Sequence, residues 1–119
     1  FLGLYQMHTV LSFLMLTFIM LAIINSYNLI DGIDGLAGIV GIVILSFLAY
    51  FFYLADDKFY LYLSLGTIAC LLAFLRYNLS LKDKIFMGDT GSLLIGFLIS
   101  VFSLKFLKLC SNFKFYIFL

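Results

Sequence analysis

The chain of 119 residues is 66% hydrophobic, has a mean hydropathy of +1.23, and carries charged side chains at only 11% of its positions. A soluble domain is nearer half apolar and a quarter charged. This chain has more apolar side chains than one water-soluble core can bury, which is typical of a protein in a lipid bilayer. The formal net charge of +1 provides no basic face, which excludes nucleic acid as a partner.

Four apolar stretches are long enough to cross a bilayer as helices. A crossing of roughly 30 Å needs about 20 residues at 1.5 Å per residue, and a helix gives its backbone polar groups internal partners in lipid. The predicted spans, in order, are residues 8–27, 36–54, 60–77 and 90–107, with the start of a fifth at 115–119. We therefore predict an all-α, polytopic integral membrane protein, of which this chain is a single partial transmembrane domain.

Polar segments separate the spans. A first island (residues 25–38) and a second island (residues 86–92) are separated by two spans, so we expect them on the same face of the membrane. The charged hairpin at 56–58 and the polar zone at 105–114 are expected on the other face, together with His8, which excludes them from a site built by the islands. Lysine and arginine number three on the island face and four on the other, so the positive-inside rule does not fix the orientation.

The first island contains two carboxylates, Asp31 and Asp34, three positions apart. If the segment is helical, they are neighbours that repel each other, and an ionised Asp at membrane depth costs roughly 2.5–3.5 kcal/mol. Such a pair persists at the water interface or beside a cation, and hard oxygen ligands favour Mg²⁺ or Mn²⁺. Asn28 adds a carboxamide on the preceding turn. The alternative is an Asx-Gly turn with solvated carboxylates.

The second island places a carboxylate at a predicted helix start. Asp89 stands immediately before Thr90, Gly91 and Ser92, where the fourth span begins. Together with Gly88, these small residues predict exposed amides and hydroxyls at the positive end of a helix dipole, which suit a phosphate. For Asp89 alone, the alternative is a helix N-cap. The two islands together indicate a metal–diphosphate site.

The loop before Asp89 supplies further candidates. Asn78 and Phe86 have the residue types that hydrogen-bond to and stack on a nucleobase, although Phe86 alone is more typical of a membrane-interface anchor. Lys82 and Lys84 could attract an anionic substrate or lipid headgroups, and the alternative for both is a solvated loop.

Two motifs, taken together, resemble a known enzyme family. In chain order they are Asn25-x-x-Asn28-Leu-Ile-Asp31-Gly-Ile-Asp34-Gly-Leu-Ala and Phe86-Met-Gly-Asp89-Thr-Gly-Ser-Leu. Their order, with two spans between them, is similar to that of the polyprenyl-phosphate N-acetylhexosamine-1-phosphate transferase superfamily, glycosyltransferase family 4. The resemblance covers essentially the whole chain but only the middle of a family member, so we expect the chain to be a fragment.

The resemblance implies transfer of a sugar-1-phosphate from a UDP-amino-sugar to a polyprenyl phosphate such as undecaprenyl phosphate. The products would be a polyprenyl-diphosphate-sugar and UMP, in the synthesis of bacterial cell-envelope polysaccharide. It also implies an Mg²⁺ requirement, a place in the bacterial inner membrane and active-site loops on the cytoplasmic side, and a homodimer would suit the family.

The resemblance also implies residue roles. Asp31, Asp34 and Asp89 would be the catalytic carboxylates, with Asp89 as the Mg²⁺ ligand. The implied substrate contacts are made by Asn28, Asp31 and Asp34 in the nucleotide-sugar cleft, and by Asn78 and Phe86 at the uracil.

The chain departs from the family pattern in three places. Nothing before Asp31 matches the upstream Asp-Asp pair of the family, and Asp56-Asp57 lies on the wrong face to replace it. The downstream loop rich in His and Arg is missing. The loop at 78–89 is one residue longer than usual and lacks its common proline. We therefore expect the chain by itself to be inactive and to be part of an active enzyme.

Alternatives within and outside the family remain open. Ile30, immediately before Asp31, is more like the GlcNAc-type members, whereas the phospho-MurNAc-pentapeptide transferases tend to carry threonine there. This residue favours a GlcNAc-type enzyme, and the alternative within the family is transfer of the pentapeptide-linked sugar. Outside it, the alternatives are a segment of an ion path and a non-catalytic membrane fragment.

Overall fold

A computed structural model describes residues 8–117, with side chains described as far as residue 113. Within this range the chain forms four helices and no strand: α1 (Thr9–Ile30), α2 (Leu36–Leu54), α3 (Lys58–Asn78) and α4 (Gly88–Ile117). Each helix has a stretch long and apolar enough to cross a membrane. The all-α, polytopic architecture predicted from the sequence is therefore confirmed.

α2 has the predicted bounds, whereas the other three helices continue past the predicted ends of their spans. α1 continues to Ile30, so Asn28 lies on its last turn. α4 continues without a break through the polar zone that begins at Lys105, so residues 115–117 extend this helix and do not start a new one. The residues from 107 to 115 include neither glycine nor proline, the two types that most readily end a helix. Residues 118 and 119 of the expected fifth span lie outside the described range.

The helices pack in the order α3, α2, α4, α1. α2 lies against α3, α1 lies against α4, and contacts between α2 and α4 join the two pairs. α1 hardly touches α2, although only a short turn connects them. The resulting layer measures 58 × 30 × 17 Å.

The core lies where α2, α3 and α4 meet. Phe52 and Phe102 are fully buried there, and the Tyr60 ring packs against both, at centroid distances of 5.3 and 5.7 Å. In α1 only Tyr27 is buried. Because many of the other large apolar side chains of α1, among them Phe13, Phe18 and Leu21, are exposed, this helix is suited to a lipid or helical environment and not to water.

Small residues let α2 approach its neighbours closely. Gly38 and Gly41 are both buried. A methyl group added at Gly41 would lie 2.6 Å from the Tyr27 hydroxyl oxygen and 2.9 Å from Leu71 Cδ1. The close packing of α1, α2 and α3 around this position therefore depends on the missing side chain.

Contacts at the two ends of the layer agree with the sidedness predicted by counting spans. At one end, an ion pair between Lys84 and Asp34 joins the second-island loop to the first island. At the other end, Lys105 pairs with Asp57 at 3.2 Å. Asp57 also caps α3, since its side chain accepts a hydrogen bond from the Tyr60 backbone. The hairpin carboxylates thus lie away from the islands, as expected.

Candidate functional site

The turn between α1 and α2 forms one wall of the site. α1 ends at Ile30, and Asp31 to Gly35 then reverse the chain before α2 begins. Gly35 has a φ of +76°, a left-handed conformation that strains residues with a side chain. The reversal leaves both first-island carboxylates at the end of the helical layer and outside the helices themselves.

Asp31 and Asp34 are not stacked on a helix, because the segment that contains them is a turn. Asp34 is exposed and pairs with Lys84. Asp31 is half-buried and lies close enough to Asp89 for the two charges to interact. Partial burial is the larger cause that raises the pKa of the Asp31 carboxyl, and the negative charge of Asp89 raises it further. The two carboxylates of the first island therefore have different electrostatic neighbours, Lys84 for Asp34 and Asp89 for Asp31.

The start of α4 forms the facing wall. The helix begins at Gly88, so Asp89 lies in its first turn, and the alternative role of Asp89 as an N-cap is wrong. Asp89 and Thr90 are exposed and Gly91 is half-buried. Because the first backbone N–H groups of a helix lack partners within it, this turn presents donors and a positive dipole end beside the carboxylates.

Ser92, one of the expected phosphate contacts, is instead used within the protein. The side chain is fully buried, and its hydroxyl donates a hydrogen bond to Asn28 Oδ1. This bond fastens the first turn of α4 to the last turn of α1. Phosphate contact by the Ser92 hydroxyl would require the bond to break, whereas Gly88 and Thr90 are already exposed.

Asn78 is the last residue of α3 and is only 5% exposed. Its Oδ1 accepts a hydrogen bond from the Gly35 N–H at 2.6 Å, and its Nδ2 donates to the Ile85 carbonyl at 2.8 Å. Both ends of the carboxamide are therefore bonded to the backbone of the islands and their loop. The uracil contact that the family resemblance implies stays a prediction, and it would require this buried group to become accessible.

Phe86 and Lys84 form the exposed rim of the site. The Phe86 ring is 74% exposed, and Lys84 Nζ lies 5.4 Å from its centroid while it also pairs with Asp34. An exposed ring at this position is available for stacking. The alternative for Lys84 was a solvated loop, although its charge, opposite to that of Asp34 on the same predicted face, was a signal for this contact.

Tyr27 was not singled out from the sequence. Its hydroxyl donates a hydrogen bond to the Ala37 carbonyl at 2.7 Å, across the otherwise sparse boundary between α1 and α2. The signal available was a tyrosine one turn before Asp31, inside an apolar run. The bond fixes the end of α1, and with it the position of Asn28.

The donor set fits a hard divalent cation. Asp31 and Asp89 are close enough for their charges to interact, and Asp89 lies in the first turn of α4, where helix amides lack helical partners. In the part of the chain that the structure describes, no cluster of three or more acidic, histidine or cysteine side chains is placed to hold a metal. Mg²⁺ is commonly held by one or two carboxylates together with substrate phosphates and water, and these two carboxylates are of the kind that this requires.

Comparisons with known proteins agree with the motifs. The model of the family described as Glycosyl transferase family 4 matches residues 1–107. The chain is similar to a protein of Bacillus subtilis (strain 168) named probable undecaprenyl-phosphate N-acetylglucosaminyl 1-phosphate transferase, with 43% identity over 82 residues. The aligned region covers 69% of this chain and 23% of that relative. No solved structure matches the chain.

Proposed function

The chain belongs to glycosyl transferase family 4, and on this basis we propose that it is part of a multi-pass membrane enzyme that transfers a sugar-1-phosphate. The donor would be a UDP-amino-sugar, with GlcNAc-1-phosphate as the transferred group, and the acceptor undecaprenyl phosphate. The products would be undecaprenyl-diphosphate-GlcNAc and UMP, in the synthesis of bacterial cell-envelope polysaccharide. The named substrates of the Bacillus relative support this choice.

The observation that carries the proposal is the hydrogen bond from Ser92 to Asn28, which joins the start of α4 to the end of α1 and so brings Asp89 and Asp31 to the same end of the helices. The two aspartates come from islands separated by α2 and α3, yet the charge of Asp89 raises the pKa of the Asp31 carboxyl. Carboxylates near each other beside helix amides can hold a divalent cation and a diphosphate together. All three site aspartates lie at one end of the helices, whereas an ion path requires polar groups at successive depths.

The reaction assigns a role to each wall of the site. An oxygen of undecaprenyl phosphate attacks the β-phosphorus of the UDP-sugar, and the bond from that phosphorus to the oxygen retained by UMP breaks. Asp31 and Asp89 would hold Mg²⁺, which when bound neutralises diphosphate charge and stabilises the departing UMP. The backbone donors of Gly88 and Thr90 would contact phosphate oxygens. Phe86 would stack on the uracil.

Lys84 and Asp34 complete the proposed donor site. Lys84 lies between Asp34 and Phe86, so its positive charge would face the diphosphate of a donor whose base stacks on that ring. Asp34 would orient Lys84 and line the cleft with Asn28. We further propose that this end of the helices faces the cytoplasm, where the UDP-sugar is made, in the bacterial inner membrane.

The test is an assay of the full-length gene product in membranes, with UDP-GlcNAc, undecaprenyl phosphate and Mg²⁺, in which UMP release is measured. We expect Asp89→Asn to reduce the rate by at least about 100-fold, as for loss of a metal ligand at a charged transition state. Asp56→Asn is the matched control, because Asp56 is an exposed carboxylate at the opposite end, and it should retain wild-type activity.

The other outcomes separate the alternatives. Activity only with UDP-MurNAc-pentapeptide would keep the reaction class and replace the proposed sugar. An active Asp89→Asn variant would contradict the proposed site. No reaction of folded, inserted wild-type protein with either donor would contradict the transferase function.

A further inference from the structure

We propose that Ser92 is a positioning residue of the enzyme: its hydroxyl, bonded to Asn28, fixes the start of α4 against the end of α1 and so sets the placement of Asp89 relative to Asp31. In this role Ser92 acts through the residues on either side of it. Its consequence for catalysis rests on the function proposed above, whereas its effect on the two helix ends does not.

A short series of hydrogen-bonding contacts leads from one aspartate to the other. The Ser92 hydroxyl lies 3.2 Å from the carbonyl oxygen of Asp89, one turn earlier in the same helix, and donates to the side chain of Asn28 in α1. The Asn28 carbonyl in turn accepts a hydrogen bond from the backbone N–H of Asp31 at 3.3 Å. Because each member is joined directly to the next, a movement of Ser92 relative to Asn28 also moves Asp89 relative to Asp31.

The two helices pack closely one turn beyond this bond. Gly96 is buried, and a methyl group added there would lie 3.1 Å from the Ile24 Cα atom and 3.3 Å from the Ile24 carbonyl oxygen. Positions 92 and 96 of α4 therefore meet positions 28 and 24 of α1, since residues four apart share a helix face. The missing side chain of Gly96 sets how near the helices approach, but it provides no bond that fixes how far one is displaced along the other.

Ser92 supplies the directional contact of this interface. Its side chain is fully buried, so water does not replace Asn28 as its partner. The other buried serine of α4, Ser100, bonds to the carbonyl of Phe97 in its own helix. Among the side chains that the structure describes, the bond from Ser92 to Asn28 is the one hydrogen bond that joins α1 to α4. Since hydrogen bonds weaken steeply when they are misaligned, this bond can hold the register of the two helices.

The first experiment measures the two helix ends without activity. Backbone hydrogen exchange of the full-length gene product in detergent is followed by mass spectrometry, in peptides that cover the end of α1 and the start of α4. In Ser92→Ala we expect both segments to exchange at least about 3-fold faster than in the wild type, because the two ends are no longer joined and open more often. Ser100→Ala is the matched control, because its buried hydroxyl bonds only within α4. Both segments should then exchange at the wild-type rate.

A second variant covers loss of folding. If Ser92→Ala does not accumulate in membranes, Ser92→Cys replaces it, since a thiol has nearly the shape of a hydroxyl but is a weak donor. Faster exchange of both segments is again expected. Wild-type exchange at the end of α1 in the variant measured would overturn the proposal, because the change at Ser92 would then not reach the other helix.

The second experiment separates positioning from substrate contact. Ser92→Ala should lower kcat by at least about 10-fold, because a misplacement of about 1 Å can cost 100-fold in rate. The KM for UDP-GlcNAc should stay within about 3-fold of the wild-type value. The kcat of Ser92→Cys should lie between those of Ser92→Ala and the wild type, and Ser100→Ala should keep the wild-type kcat. A wild-type kcat in Ser92→Ala, with or without a large rise in KM, would overturn the proposal.

Failure of the proposed function would be distinguishable from failure of this proposal. If the folded wild type reacts with neither donor, the transferase function fails. The exchange rates would still decide whether Ser92 joins the two helix ends.

Discussion

At the scale of single residues, most polar side chains of the site already have a partner in the opposite wall. Asn28 accepts from Ser92, and Asp34 pairs with Lys84. Asp31 instead interacts with the like charge of Asp89, and neither forms an ion pair within the part of the chain described by the structure. A carboxyl whose pKa is raised by burial and by a neighbouring like charge, as that of Asp31 is, is typical of functional sites.

The pair of Lys84 and Asp34 should matter more for substrate than for stability. In a double-mutant cycle with Lys84→Met and Asp34→Asn, we expect a coupling of about 0.2–1 kcal/mol in the free energy of unfolding, since both side chains are partly solvated. The KM for UDP-GlcNAc should rise at least about 3-fold in Lys84→Met, because a charge beside the diphosphate is lost.

Lys82→Met provides the comparison, because Lys82 is an exposed lysine of the same loop. It should leave the KM near the wild-type value. Equal effects of the two lysine variants would mean that general attraction of anions, and not the position of Lys84, accounts for binding.

The sequence predicts which residues gather at this site better than it predicts what each one touches. Counting spans places Asp31, Asp34 and Asp89 on one face, because hydropathy alone defines the spans. It does not indicate that Ser92 turns inward, or that Asn78 bonds to the backbone at both ends. Those contacts depend on how α3 and α4 are rotated about their axes. Because all four helices are mostly apolar, the few polar residues do not indicate these rotations.

At the scale of helices, close packing around α2 depends on Gly41. Gly41→Ala would place a methyl group against the Tyr27 hydroxyl and Leu71, and would disturb the bond from Tyr27 to Ala37. We expect the free energy of unfolding to fall by about 1–3 kcal/mol, the typical cost of overpacking. The measurement is the unfolding temperature in detergent, which should be lower than that of the wild type.

Gly66→Ala is the matched control within α3. A methyl group added at Gly66 meets no atom within 4 Å, so this variant should be neutral or slightly more stable, because alanine favours a helix over glycine. If Gly66→Ala lowered the unfolding temperature as much as Gly41→Ala, general effects of alanine in a helix, and not the packing at Gly41, would govern stability.

The existence of all four helices was predictable here, and so were both ends of α2, whereas the far end of α4 was not. The length and apolarity of each run exclude most alternatives, so all four helices were expected. The polar residues near Lys105 indicated a loop. In the structure, however, Lys105 pairs with Asp57, and Lys105 Nζ lies 5.0 Å from the centre of the Tyr60 ring. A charge with such partners fits within a helix, and these partners come from a distant part of the chain that local sequence does not show.

At the scale of the whole molecule, the arrangement predicts which loops share a side of the membrane. Single cysteines at Ile33 and at Asp83 should react with an impermeant maleimide from the same side, and a cysteine at Asp56 from the opposite side. In vesicles of known orientation, the first two should be modified from the cytoplasmic side. If the cysteines at positions 33 and 83 were modified from different sides, the placement of both islands on one side of the membrane would be contradicted.

The sparse contact between α1 and α2 has a consequence for how the chain is assembled during synthesis. The α2–α3 hairpin can pack as soon as it enters the bilayer, but the main partner of α1 is α4, which begins nearly sixty residues after α1 ends. At about 5–20 residues per second, the ribosome needs several seconds to make that interval. During this time α1 must remain in lipid, or beside an insertion factor, with its partner face uncovered. The two walls of the candidate site can therefore form only after the last of the four helices has been inserted.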